Sequence, residues 1–202
     1  MKPRTFEERL ENNRLRAYVR DLMEVRPLRK ATDVGRIPRA LHIACGNGSP
    51  TSLILKRFCV DRVWAIDRDP RVIAAAREYR SLGNVEFSVG DVRSLGFEND
   101  SFDAVFDLAD LHNFADWEKG LLEMRRVLKP GGLLILEELS RETFAHSGGR
   151  LFKRLTEHPY DAMLTTREFR DSVGRNGFEI LHFGRKNPLG LLRYFVMIAR
   201  KI

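Results

Sequence analysis

The feature that most constrains this chain is the run Leu41–Gly48, in which an apolar segment leads directly into a Gly-Asn-Gly turn. A glycine turn lets the backbone approach a ligand where a Cβ would clash. Asp67 lies 21 residues after Gly46, and Asp91 follows 24 residues later, each at the end of a predicted strand. An acid about 20 residues beyond the turn is placed to bind ribose hydroxyls. Because open α/β sheets bind ligands at the carboxyl ends of their strands, these elements predict a nucleotide-type pocket at one sheet edge.

Strand-like and helix-like segments alternate along most of the chain. Strands are predicted at 39–44, 62–67, 85–89, 102–108, 133–137, 179–183 and 194–200. Helices are predicted at 5–25, after Pro50, at 70–80, at 117–128 up to the break at 130–132, and from 165 to 177. This alternation predicts an α/β fold with a Rossmann-like doubly wound sheet of about seven strands, mostly parallel. The last two strands have no long helix between them, which predicts a C-terminal antiparallel hairpin strand.

Several short motifs occur in a fixed order through the chain. They are Ala44-Cys45-Gly46-Asn47-Gly48, Ala65-Ile66-Asp67, Val89-Gly90-Asp91-Val92, Phe102-Asp103-Ala104-Val105, Leu111-His112-Asn113, Arg126-Val127-Leu128-Lys129-Pro130-Gly131-Gly132 and Gly177-Phe178-Glu179. Over roughly residues 38–200 the chain resembles class I S-adenosylmethionine-dependent methyltransferases of the broad type 11 group. The resemblance implies S-adenosylmethionine as cofactor, S-adenosylhomocysteine as product, and in-line methyl transfer to a small or medium-sized acceptor.

The length of 202 residues suits one domain with a full hydrophobic core. We divide it into an N-terminal helical cap (1–37), a cofactor-binding core (38–138), a substrate-loop insertion (139–164) and a C-terminal helix and strand pair (165–202). No apolar run approaches the ~18–20 residues that span a bilayer, and the charged N-terminus lacks a signal-type apolar segment. The two cysteines have neither metal-ligand nor disulfide spacing. The expected location is therefore the cytoplasm.

The resemblance implies a set of cofactor-binding residues at the ends of the first four strands. They are His42, Ala44, Cys45, Gly46, Gly48, Asp67, Arg68, Asp91, Val92, Asp107 and Leu108. Within this set Asp67 is expected to bind the ribose hydroxyls and Asp91 the adenine amino group, while Asp107 lies beside the sulfonium. His42 stands where the family often has an acid, so a buried histidine held by a neighbouring side chain is an equal alternative to a ligand contact. Arg68 could stack on the adenine or lie exposed.

His112 and Asp110 are the candidates for proton handling, and a structural or substrate-shaping role is the alternative for His112. Holding the nucleophile and the methyl group in line can supply ~7–11 kcal/mol. A general base adds about 10²–10⁴-fold, and only when the nucleophile must lose a proton. Asn113, His158 and Tyr160 are predicted to line the acceptor site. No His, Cys and acid cluster predicts a metal.

The net charge of +7 is unevenly distributed, with +5 in residues 1–40, −4 in residues 41–140 and +6 in residues 141–202. Basic flanks can attract an anionic acceptor or a nucleic acid. The arginines are scattered, however, without interleaved aromatic residues, which favours a small-molecule acceptor over RNA or protein. After the fourth strand the chain has Asp107-Leu108-Ala109-Asp110 rather than an Asn/Asp-Pro-Pro-aromatic tetrapeptide, which argues against amino methylation of nucleic-acid bases.

Two further alternatives use the same pocket differently. A dehydrogenase-type dinucleotide binder needs a third glycine where Thr51 stands, and it would leave Asp91 without a role. A non-catalytic S-adenosylmethionine-binding module would keep the fold and the cofactor while lacking turnover.

Overall fold

A computed structural model describes residues 21, 25–30, 34–78, 83–145, 160, 162–187 and 194–202. The strands are β1 (Ile37–Ile43), β2 (Val60–Asp67), β3 (Val85–Val89), β4 (Phe102–Leu108), β5 (Leu128–Leu139), β6 (Phe178–Lys186) and β7 (Tyr194–Lys201). The helices are α1 (Arg26–Lys30), α2 (Ser49–Arg57), α3 (Pro70–Glu78), α4 (Trp117–Val127) and α5 (Thr166–Arg175). Two short 3₁₀ turns cover Leu111–Asn113 and Arg141–Phe144.

The strands form one sheet in the order β3-β2-β1-β4-β5-β7-β6. Pairing is parallel from β3 through to β5, whereas β7 runs antiparallel to both β5 and β6. The predicted fold class is therefore confirmed, including the antiparallel strand. Because the strand order reverses between β1 and β4, their carboxyl ends border a crevice where a ligand can bind.

Both faces of the sheet are covered by apolar side chains. Neighbouring residues of a strand point to opposite faces, and in β4 Val105 joins one core cluster whereas Phe106 joins the other. Both side chains are fully buried. Central parallel strands of this kind are apolar along most of their length, and the buried acids Asp107, Glu137 and Glu138 lie near the carboxyl ends of β4 and β5.

The prediction that the fifth strand begins at Leu133, after a helix break at Pro130-Gly131-Gly132, was wrong about where the strand starts. Instead β5 begins at Leu128 and includes this segment. The ladder between β4 and β5 shifts register between Phe102 and Ala104, and Gly131 has a φ of +78°. The register shift and the left-handed glycine let the strand continue through a proline. The remaining strand boundaries differ from the predicted ones by up to three residues.

Parts of the predicted organisation lie outside the described residues. The helix expected at 5–25 falls almost wholly there, as does most of the insertion at 139–164, including His158. Within the described part of the chain, no helix is long and apolar enough to cross a membrane.

Candidate active site

The loop after β1 is tied to the end of β2. Ala44, Gly46 and Gly48 all have left-handed φ angles, of +48°, +54° and +83°. The backbone N–H of Gly46 donates to Asp67 Oδ2 at 3.1 Å, and that of Cys45 donates to the Ile66 carbonyl oxygen at 2.9 Å. The turn is therefore held against the acid that the sequence places 21 residues after Gly46.

Gly48→Ala is expected to lower the free energy of unfolding by about 1–3 kcal/mol, because an L-residue in the left-handed region costs about 1–2 kcal/mol. Its Cβ would also lie 3.1 Å from Phe87 Cζ. Urea denaturation measures the change. Gly174→Ala is the matched control, since it lies in α5 with nothing within 4 Å of its Cβ position, and it should be neutral or stabilising. A Gly48→Ala protein as stable as wild type would contradict the strained turn.

One cavity at the carboxyl edge of the sheet brings together residues from the ends of β1, β2, β3 and β4. It is lined by Ala44, Ile66, Asp67, Arg68, Gly90, Asp91, Val92, Asp110 and Phe114. The three acids predicted from the sequence to act at the ribose, at the adenine and in proton handling thus share one cavity. Gly90 packs so closely against Ile66 that a Cβ at this position would lie 3.3 Å from the Ile66 side chain.

Hydrogen bonds fix the two nucleotide-site acids in place. Asp67 Oδ1 accepts from the backbone N–H of Asp69 at 3.0 Å, in addition to the bond from Gly46. Asp91 is paired with the guanidinium of Arg93, whose Nη2 lies 2.7 Å from Asp91 Oδ2. The hydrogen bond from Arg93 lowers the pKa of Asp91. Asp91 therefore presents a fixed carboxylate acceptor to the cavity.

The ring of Phe114 forms part of the cavity wall and is flanked by two guanidinium groups. The Arg68 guanidinium lies 5.3 Å from the ring centroid, and that of Arg93 lies 4.8 Å away. Both distances fall within the range of cation–π attraction. Two positive charges therefore stand beside the cavity, one of them on the residue predicted to stack on the adenine or to lie exposed.

A second group of polar residues forms a buried cluster at the ends of β4 and β5. Glu138 Oε1 accepts from the backbone N–H groups of Asp110 at 2.9 Å and Leu111 at 2.6 Å. Glu138 Oε2 lies 2.8 Å from His112 Nδ1. Asp107 Oδ1 accepts from the Asp110 N–H at 3.1 Å. Glu138 thus caps the 3₁₀ turn and holds the imidazole at the same time.

Burial controls the protonation of this cluster. It lowers the pKa of His112 to about 4, so the imidazole is neutral near pH 7. Burial also raises the pKa of Asp107 and of Glu138, and the charge of Asp110 raises both further. Burial, together with the charge of Asp67, raises the pKa of Asp110 to about 6. Perturbed groups that meet beside a cavity are typical of a functional site.

Comparison with known proteins agrees with this geometry. Residues 41–136, from β1 through most of β5, match a family model described as a methyltransferase domain. This part of the chain is a class I methyltransferase domain. A demethylmenaquinone methyltransferase of Thermus thermophilus is 38% identical over 132 residues, covering 62% of this chain and 58% of that protein. A phthiotriol/phenolphthiotriol dimycocerosates methyltransferase of Mycobacterium leprae is 32% identical over 101 residues, covering 50% and 37%.

The chain therefore matches only about half the length of the curated relatives. Among solved structures, a protein of Pyrococcus horikoshii superposes with a TM-score of 0.75 at 22% identity, covering 95% of this chain and 93% of that one. The structural likeness extends the shared fold to nearly the whole chain, beyond the segment that the family model matches.

The cofactor of this methyltransferase family is S-adenosylmethionine, and the residues present fit it. The left-handed turn at Gly46 leaves open space where a Cβ would stand. Asp67 offers a fixed carboxylate beside that turn, and Asp91 offers another at the end of β3. These residues would hold the adenosine part, and Asp107 and Asp110 would lie toward its sulfonium.

This cavity is not lined by the buried side chains of four predicted cofactor residues, His42, Cys45, Asp107 and Leu108. His42 is buried, and its Nδ1 lies 2.9 Å from Thr51 Oγ1 on α2. Cys45 is buried in the core, where burial raises the pKa of its thiol to about 12. Leu108 packs in the core cluster on the face of Phe106. Any contact of Cys45 with the cofactor would therefore come from its backbone.

The predicted acceptor-site residues of the methyltransferase domain are only partly described. The side chain of Asn113 is hydrogen-bonded to Asp110, and the ring of Tyr160 packs on Phe144 with centroids 4.8 Å apart. Two larger cavities border the described ends of the insertion. One, of about 350 Å³, is lined in part by Trp117, Arg141 and Met163. The other, of about 340 Å³, is lined in part by Ser140, Glu142, Arg185 and Tyr194.

Sequence reasoning missed Arg93 and Phe114 as parts of the site. Glu138 has a signal in the strand register, because Leu108 pairs with Glu137 in the parallel ladder and the next residue of β5 then lies beside the loop after β4. No comparable signal marks Arg93 or Phe114, since their roles depend on how two loops fold toward each other.

Proposed function

We propose that this protein transfers the methyl group of S-adenosylmethionine to a small or medium-sized acceptor. The observation that carries the proposal is the cavity shared by Asp67, Asp91 and Asp110. Asp67 is the last residue of β2, and Asp91 and Asp110 each lie two residues beyond the ends of β3 and β4. The ribose, the adenine and the sulfonium of S-adenosylmethionine would then each lie near one carboxylate, that of Asp67, Asp91 and Asp110 respectively.

When bound, S-adenosylmethionine supplies an electrophilic methyl group on a positively charged sulfur. The residues of this chain then bind the cofactor and orient the acceptor. Asp67 accepts from the ribose hydroxyls and Asp91 from the adenine amino group, and the turn at Gly46 brings backbone close to the ligand. Most of the rate comes from holding the acceptor in line, which can supply ~7–11 kcal/mol.

We propose that His112 takes the proton of an acceptor that must lose one. Glu138 Oε2 fixes the ring through Nδ1, and we propose Nε2 as the atom that receives the proton. A carboxylate behind a histidine stabilises the imidazolium that forms, and it also selects the tautomer. The His112–Glu138 pair supports the proposed role of His112.

The names of two relatives support a small-molecule acceptor. One is named for demethylmenaquinone and the other for phthiotriol and phenolphthiotriol dimycocerosates. The two larger cavities beside the described ends of the insertion offer room for a molecule of moderate size. We propose demethylmenaquinone and simple phenols as the first acceptors to screen. An RNA acceptor would instead show affinity that falls steeply with salt.

Isothermal titration calorimetry with S-adenosylmethionine, S-adenosylhomocysteine and NAD tests the cofactor directly. Both adenosyl ligands are expected to bind more tightly than NAD, because Asp91 meets the adenine edge and the turn lacks the third glycine of dinucleotide binders. Tighter binding of NAD, or no binding of either adenosyl ligand, would refute the proposed function. Binding without transfer to any acceptor screened would favour a non-catalytic module.

A further inference from the structure

The cavity of about 340 Å³ beside the ends of β5, β6 and β7 is lined by two basic side chains, Arg185 and Lys186. Within the described part of the chain, no ion pair involves either of them. The Glu142 carboxylate also lines the cavity, but it accepts from the backbone N–H of Thr166 at 3.1 Å and is thus held at the start of α5. The cavity therefore offers positive charge to a ligand.

The wall beside the two basic residues is aromatic. Tyr194 and Phe195, the first residues of β7, both line the cavity and are both buried. Ligand pockets have volumes of about 300–1,000 Å³ and combine apolar walls with a few polar groups. A cavity of this volume, with an aromatic wall and two cations, fits an organic acid that has an apolar body and a carboxylate.

The register of the sheet places Arg185 on the same face as the Glu138–His112 pair. Glu138 pairs with Phe195 between β5 and β7, and Phe195 pairs with Arg185 between β7 and β6. Directly opposed residues of antiparallel strands have their side chains on one face. Neighbouring strands lie about 4.8 Å apart, so the backbones of Glu138 and Arg185 are about 10 Å apart. One acceptor of moderate size can span that distance.

The other large cavity, of about 350 Å³, is a poorer match for an anion. Its described lining includes three acids, Asp116, Glu118 and Glu168, and two arginines, Arg141 and Arg175. Arg175 lies 3.9 Å from Glu118, so one of the two cations already has a partner. A carboxylate would meet net negative charge there, whereas it would meet net positive charge in the cavity at the end of β6.

We propose that the methyl acceptor is an organic acid and that Arg185 binds its carboxylate, with Lys186 adding positive charge beside it. The inference rests on the proposed function, since it concerns the acceptor of the same reaction. A guanidinium donates two parallel hydrogen bonds to a carboxylate, which fixes the orientation of the bound acid. Arg185 thereby sets specificity from the end of the acceptor remote from His112. Among simple phenols, those that carry a carboxylate are the preferred acceptors.

Ligand-observed NMR titration tests the anion site without any cofactor. The probes are para-hydroxybenzoate, para-hydroxycinnamate and a terminally hydroxylated fatty acid of medium length, each compared with its uncharged carboxamide of nearly the same shape. At least one acid is expected to bind about 10–100-fold more tightly than its amide, because hydrogen bonds between charged groups are the stronger ones. Arg185→Gln should remove most of this preference. Arg167→Gln, at an exposed position of α5, is the matched control and should keep it.

Turnover with S-adenosylmethionine tests the same acids as acceptors. Arg185→Gln should raise the KM of a methylated acid by about 10–100-fold, since the same hydrogen bonds are lost. It should change kcat much less, because Arg185 lies away from the reacting atoms. The KM of the corresponding amide should not change. A KM of the acid that Arg185→Gln leaves unaltered would overturn the inference.

Equal binding of every acid and its amide to the wild-type protein, or no binding of any acid, would also overturn it. A preference for the acid that survives in Arg185→Gln would do the same, because the carboxylate would then be bound elsewhere. Failure of both S-adenosylmethionine and S-adenosylhomocysteine to bind would instead remove the proposed function. The titration without cofactor would still decide whether Arg185 binds carboxylates.

Discussion

Replacing Asp67 with alanine is expected to weaken S-adenosylhomocysteine binding by about 100-fold or more, because two hydrogen bonds to a charged acceptor are lost, at about 1.5–3 kcal/mol each. Asp67 also accepts from the Gly46 N–H at 3.1 Å, so the variant loosens the turn that approaches the ligand. The main measurement is the dissociation constant by calorimetry.

Asp61→Ala is the matched control for this experiment. Asp61 lies on the same strand, β2, and pairs with Arg36 at the surface at 2.8 Å. Its loss should leave ligand affinity unchanged, because exposed ion pairs contribute little. Circular dichroism and urea denaturation establish that both variants are folded. A folded Asp67→Ala protein with an unaltered dissociation constant would exclude the ribose role.

Replacing His112 with alanine is expected to slow turnover by about 10²–10⁴-fold for an acceptor that must lose a proton. The effect should appear in kcat rather than in the cofactor dissociation constant. The neutral imidazole is the form that accepts the proton, and burial lowers the pKa of His112 to about 4. The wild-type rate governed by His112 should therefore be retained above about pH 5 and fall as the pH drops through about 4.

Two further variants test whether His112 acts as a base or has only a structural role. Glu138→Gln keeps the size of the side chain but removes the charge behind the ring, so it should lower kcat and alter the pH–rate profile. His182→Ala, on β6, removes a histidine outside the cluster and should have no effect on either. If the His112→Ala and wild-type profiles fall through the same pKa, then His112 is not the base, and Asp110 or the acceptor's own ionisation takes its place.

Much of the fold could be predicted because its causes are local. β3 and β4 have the predicted bounds. The cavity acids could also be placed, because the carboxyl ends of parallel strands share one edge. The strand position of Lys129–Gly132 could not be predicted, because only pairing with β4 shows that a strand can include a proline and a left-handed glycine.

The chemistry of the site was predicted less fully, for a physical reason. The sequence gives the spacing of His112 but not the burial that lowers its pKa or the carboxylate that holds Nδ1. His42 illustrates the same limit, because its contact with Thr51 depends on how α2 packs over β1. Protonation and pairing are properties of the packed structure, whereas spacing is a property of the chain.

The place of β7 within the sheet has a consequence for how the protein comes to be folded. The strand formed by residues 194–201 is an interior one, with β5 on one side and β6 on the other. The sheet therefore remains open beyond β5 until this late segment has been synthesised. Emerging nascent chains would expose the unpaired edge of β5, which carries Glu137 and Glu138 near its end. Closure of the sheet only after this segment has been synthesised, slowed by contacts distant in sequence, is the expected folding route.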